Sequence, residues 1–118
     1  MKIIVVKNKK QLMQFIKLPF RLYKDDPNWV APLISEQIKF FNPDKNPYFQ
    51  HSEVQLFLVE QEGKIVGRIS AQTNTQHNKT HNDKVGFFGF FECENDLQIT
   101  KALLKEAAKW LSERECNT

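Results

Sequence analysis

The chain has 118 residues, of which 26% are charged and 41% hydrophobic, with a formal net charge of +3. That length allows one domain with a core of its own, and the balance of residues excludes a disordered chain. The charge is too small for a nucleic-acid binder, though it would suit an anionic ligand such as a phosphorylated cofactor.

Met1-Lys2 and the β-branched run Ile3–Val6 are too short for a signal peptide, and Ile3–Val6 predicts a strand. No stretch approaches the ~20 apolar residues that span a bilayer, so a cytoplasmic protein with no membrane partner is expected. Asn8 then caps a helix, with Gln11 at its third position. Leu12, Phe15, Ile16, Leu22 and Tyr23 form its apolar stripe. Pro19 falls inside this pattern and predicts a kink, or two short helices meeting there. Lys7, Lys9, Lys10 and Lys17 form a basic run of the kind that usually marks a solvated face.

Asp25-Asp26-Pro27-Asn28 is a turn. Leu33–Phe41 has helical spacing, and Asn42–Pro47, with two prolines, breaks it. Tyr48, Phe49 and His51 belong to a connector. Val54–Glu60 alternates, with Val54, Leu56 and Leu58 on one face and Phe57 and Val59 on the other. Glu62-Gly63 turns the chain, and Lys64–Thr73 returns with Ile65, Ile69 and Ala71 inward: a β-hairpin. Gly67 inside the second strand points to a bulge or a close backbone approach. Asn74–Lys84 is wholly polar and reads as a surface loop.

Val85–Glu92 is the aromatic strand of the chain. Four of the ten phenylalanines fall here, on both faces, so both faces should be covered. Asn95 predicts the next helix N-cap, with Gln98 three positions on. Ile99, Leu103, Ala107 and Leu111 form that helix's inner stripe, widened by Leu104, Ala108 and Trp110. Lys101, Lys105, Glu106, Lys109 and Glu113 are left for its outer face. Together these elements predict an α+β fold: a mostly antiparallel sheet of about four strands, two N-terminal helices and one C-terminal helix.

Chemistry-bearing residues are few. Cys93 and Cys116 indicate neither a disulfide framework nor a metal cluster. His77 and His81 have helical ligand spacing, but they sit in a polar loop with no third ligand nearby, and no metal is expected. Cys93 lies between Glu92 and Glu94, which would raise its pKa and argue against a nucleophilic thiolate. Glu92, at a strand end beside an aromatic wall, could act as a general base; the alternative is that both glutamates face solvent. The start of the following helix favours an anion through its free N–H groups and dipole. No glycine in Asn95–Lys101 lets the backbone approach one closely.

The hairpin LFLVEQEGKIVGRISA at Leu56–Ala71 resembles the second and third strands of the GNAT acyltransferase family. The helix ALLKEAAKWLSER at Ala102–Arg114 resembles the helix after that family's acyl-CoA strand. The order of elements agrees as well. Phe15–Phe49 and Val85–Glu94 are similar to a bacterial group of larger GNAT-like proteins. The resemblance implies binding of acetyl-CoA or another acyl-CoA and transfer of its acyl group to a small-molecule amine. It implies Glu92 as the base, and contacts to the cofactor from Phe91, Cys93, Gln98 and Thr100. The family's Arg/Gln-x-x-Gly-x-Gly/Ala loop is not present: Gln98 and Thr100 occupy its two glycine-type positions. The family's next strand would begin beyond Thr118. Residues 1–118 are thus expected to form one GNAT-like domain, apparently truncated, with weak or absent activity. The alternative is a non-catalytic assembly module built on the same scaffold.

In this order Val85–Glu92 pairs on one side only, which leaves an apolar edge with no Lys, Pro or charge to protect it before Glu92. The chain should therefore form a homodimer through the Val85–Glu92 edge, unless Met1–Val6 or the Cys116 tail covers it. Sedimentation over a wide concentration range should show dimers that Phe88→Lys dissociates. A monomer at every concentration would exclude the association.

Overall fold

The computed structural model describes residues 1–41, 52–74 and 86–113. Strand β1 (Lys2–Val5) leads into helix α1 (Lys9–Leu22), and a shorter helix, α2 (Ile34–Phe40), follows. Three longer strands come next, β2 (Ser52–Gln61), β3 (Lys64–Asn74) and β4 (Gly86–Cys93), and helix α3 (Leu97–Glu113) closes the described chain. The strands form one antiparallel sheet in the order β1-β2-β3-β4. The α+β fold and its layout therefore agree with the sequence expectation. His51, His77, His81, Val85, Arg114 and Cys116 lie outside the described residues, as do Asn42–Pro47, Tyr48, Phe49 and the polar loop after Asn74, which itself ends β3.

Period-two alternation gives the sheet two apolar faces, and each has its own helix. Phe57, Val59, Ile69 and Ala71 meet Ile99, Leu103, Ala107, Trp110 and Leu111 of α3. On the other face Leu56 and Leu58 meet Phe15 of α1, with Leu12, Phe41 and Phe90 packed around them. The wider α3 stripe is only partly buried: Trp110 is in the core, but Leu104 and Ala108 stay exposed.

Local chemistry explains the element ends. The Asn8 side chain accepts the Gln11 N–H at 2.8 Å, and the Gln11 side chain reaches back to accept the Lys7 N–H at 2.6 Å. The first bond satisfies one of the free donors at the α1 start, and the second ties down the residue before the cap. At α3 the cap is Asp96 rather than Asn95: its carboxylate accepts the Gln98 N–H at 2.9 Å. Asp96 also places a negative charge at the positive end of the helix dipole, which Asn95 could not do. The hairpin turn needs positive φ at both residues, 53° at Glu62 and 77° at Gly63.

Both of the expected properties of Gly67 are present. An extra residue shifts the β2–β3 register beside it, so Val59 pairs with Gly67 but Glu60 pairs with Ile65. The bulge turns Ile65 to the α1 face, away from Ile69 and Ala71. A Cβ on Gly67 would stand 2.8 Å from Leu103 Cδ1 and 2.9 Å from Ile99 Cγ2. Strand β4 pairs with β3 alone among the described strands. Contrary to the expectation of full cover, Phe87, Phe88 and Phe91 are each about 40% exposed, and only Phe90 packs inward. As the edge strand, β4 has a neighbour on one side only among the described strands.

Gly67→Ala should destabilise the fold by about 1–3 kcal/mol, the cost of overpacking a filled helix–sheet contact. Urea unfolding of the two proteins measures it directly, and an unchanged midpoint would mean that α3 moves aside freely.

Candidate functional site

The site begins with a missing donor. Pro19 lies inside α1 and has no N–H, so the carbonyl of Phe15, four residues earlier, loses its helical partner. A second carbonyl is freed in β4. There Arg68 pairs with Glu92 and Ser70 with Gly89, so β4 carries an extra residue, and Phe90 adopts φ 51°. Arg68, on β3 between these two places, donates Nη1–H to Phe15 O at 2.7 Å and Nε–H to Phe90 O at 3.0 Å. This explains why α1 runs unbroken from Lys9 to Leu22 where a kink or two short helices is the sequence expectation. Pro19 falls near the helix end, and the lost bond is replaced from the sheet.

Arg68 is only 6% exposed. Its guanidinium carbon lies 4.7 Å from the Phe15 ring centroid and 5.8 Å from that of Phe90. The two ring faces stabilise a cation that has lost most of its water. Burial lowers its pKa to about 10, partly offset by the Glu92 charge, so it stays protonated at neutral pH.

Glu92 sits across from Arg68 at the end of β4 and accepts a hydrogen bond from the Tyr23 hydroxyl. That bond, with burial and the carboxylate charge, raises the Tyr23 pKa above its ordinary value and keeps the hydroxyl a donor. Tyr23 in turn stacks on Trp29, with ring centroids 5.7 Å apart, and Trp29 meets Phe20 edge-on at 5.2 Å. The turn that brings Trp29 here is closed by Asp26, whose side chain accepts the Asn28 N–H at 2.9 Å. Glu92 is thus a carboxylate bonded to a phenol, against an aromatic wall, and its charge acts on the buried Arg68 cation through space.

The neighbouring residues diverge. Cys93 does not lie between two carboxylates: strand alternation turns it to the α3 face, where Sγ is 3.4 Å from Thr100 Oγ1. Glu94 instead ion-pairs with Arg21 at 2.9 Å and Lys64 at 3.4 Å. Burial opposes its charge, but those two cations outweigh it and hold the carboxyl below its usual range. Neither glutamate is simply solvated. The expected contact residues therefore split: Cys93 and Thr100 meet, while Phe91 and Gln98 are exposed. The Gln98 N–H is taken by Asp96, so a carboxylate already occupies part of the anion site at the α3 start.

Sequence patterns missed Arg68 and Tyr23. One signal for Arg68 was present, a lone cation within the apolar run Ile65–Ala71. Tyr23 was absorbed into a helical stripe. Among the described residues no group of acidic, His or Cys side chains could hold a metal ion, and no helix is long and apolar enough to cross a membrane.

No family model and no solved structure matches this chain. It is similar to the bacterial ceramide synthase of Caulobacter vibrioides (strain NA1000 / CB15N), with 41% identity over 113 residues. That alignment covers 95% of this chain and 29% of that protein. It is also similar to Protein YghO of Escherichia coli (strain K12), at 38% identity over 91% of this chain and 27% of that protein. The chain thus spans less than a third of the length of these curated relatives.

Arg68→Met should cost about 3 kcal/mol, since it strands two buried carbonyls at roughly 1–3 kcal/mol each. Arg68→Lys should recover only part of this, because an ammonium lacks the planar fork that reaches both acceptors. Urea midpoints of the three proteins give the comparison; equal stability of the Lys variant and the parent would refute the two-carbonyl role.

Proposed function

We propose that this chain is a GNAT-like domain related to acyl-CoA-dependent N-acyltransferases, with weak or no activity by itself. The observation that carries this is Glu92: a carboxylate bonded to Tyr23 and placed opposite Arg68 in the sheet register, at the end of β4, one strand-to-helix turn before α3. In the reaction an amine nitrogen attacks the thioester carbonyl of acetyl-CoA or another acyl-CoA. An amide forms and the C–S bond breaks. The amine proton passes to Glu92, directly or through water, and the departing thiolate is protonated. Of the four contact residues the resemblance implies, the exposed Phe91 and Gln98 would meet the cofactor directly, and Cys93 and Thr100 would lie behind them against α3. The name of one relative supports this class of chemistry, since a ceramide is an amide of a fatty acid with a long-chain amino alcohol.

A second class, a non-catalytic assembly module, is favoured by two other features. Asp96 and the glycine-free stretch after Glu94 leave little room for a pyrophosphate. The exposed phenylalanines of β4 offer a contact edge, through which a homodimer would form.

Acetyl-CoA should bind this chain no more tightly than about millimolar, ~4 kcal/mol. An amide-resolved NMR titration should move Phe91, Cys93, Gln98 and Thr100 together at millimolar ligand. No shift at saturation would favour the assembly module. Micromolar binding would mean that the cleft is already complete in this chain.

A further inference from the structure

We propose that the outer face of α1 docks on an anionic phospholipid bilayer. This goes beyond acyl transfer and stands whether or not the chain carries that activity. All seven charged residues before Asp25 are cations, although the whole chain is only +3. The remaining residues are therefore net acidic, and the positive charge is gathered at one place. Lys9, Lys10, Lys17 and Arg21 fall with Met13 and Phe20 on one arc of about 120° at 3.6 residues per turn, with Trp29 packed on Phe20 at its C-terminal end. Phe15, Ile16, Leu18 and Pro19 are buried, which fixes that arc as the outward one. The Lys9, Lys10 and Lys17 side chains are exposed, and Lys7 and Lys24 continue the charge past both helix ends.

The same arc borders a groove of about 410 Å³. Its floor is Met13, Leu18 and Ile65, and its rim carries Lys10, Lys17 and Arg21. At one end Arg21 is anchored by Glu94 and by the Ile65 carbonyl, which offsets its charge and leaves Lys10 and Lys17 as the free cations of the rim among the described residues. A cationic rim over an apolar floor complements a molecule with an anionic head and an apolar body. The cations are spread from Lys9 to Arg21, about 18 Å along α1. One anionic group could meet only a few of them, whereas an anionic bilayer meets the whole face and adds attraction with each lysine. The arrangement matches a basic face lying on a membrane, not a span through it.

Sedimentation with vesicles tests this, using phosphatidylglycerol–phosphatidylcholine mixtures against pure phosphatidylcholine. At ~0.1 M salt the chain should bind the anionic vesicles at least about tenfold more tightly, and lose that advantage at ~1 M. The double variant Lys10→Glu with Lys17→Glu should lose at least about tenfold. Met13→Asp should weaken binding too, since the groove floor would no longer accept apolar groups. Lys105→Glu with Lys109→Glu, on the exposed face of α3, should stay within about twofold of the parent. Circular dichroism confirms that each variant is folded. Equal binding to both vesicle types, equal loss from the α3 variant, or capture of polyglutamate without vesicle binding would each overturn the proposal.

Discussion

Keeping one guanidinium charged inside the protein is the constraint on which the site depends. Arg68 fastens α1, β3 and β4 at one point, and it does so through main-chain carbonyls that nothing else can serve. Each irregularity there makes sense only with the others. Pro19 would weaken α1 if its freed carbonyl had no donor. The β4 bulge would strand a second carbonyl. Arg68 without those acceptors would be a desolvated charge, far more costly than either. Together they form a satisfied polar cluster between aromatic rings, and Glu92 inherits its position from it.

The regular part of the architecture was legible because its causes are local. Asn8 and Gln11 cap a helix by side chains three positions apart. Phe57 and Val59 alternate with Leu56 and Leu58, and Gly67 marks a close approach. Where sequence reasoning failed, the deciding partner was distant. Asn95 reads as the cap in sequence, but the helix starts at Leu97, so the residue before it, Asp96, takes that place. Pro19 reads as a break because the donor that repairs α1 is on β3. In sequence Cys93 is flanked by carboxylates, while strand alternation sends it to the face opposite Glu92.

The two faces of the sheet have different characters. The α3 face is almost wholly apolar and is filled to the point where Gly67 has no space for a methyl group. The α1 face carries the buried cation, the carboxylate and the aromatic cluster of Phe20, Tyr23 and Trp29. Both sides thus contribute to stability, but only the α1 side combines its packing with a buried polar cluster. A replacement on the α3 side is felt as packing, and one on the α1 side as lost hydrogen bonds.

The proline gap in α1 also implies an order of folding. Strands β2 and β3 can pair by closing the two-residue turn at Glu62-Gly63, whereas the contact from Arg68 to Phe15 closes 53 residues. Loop-closure entropy alone makes the longer closure about 3 kcal/mol more costly. The last turn of α1 therefore cannot become secure in an isolated segment. It waits for a hairpin formed later in the chain, and its completion reports that the sheet is already in register.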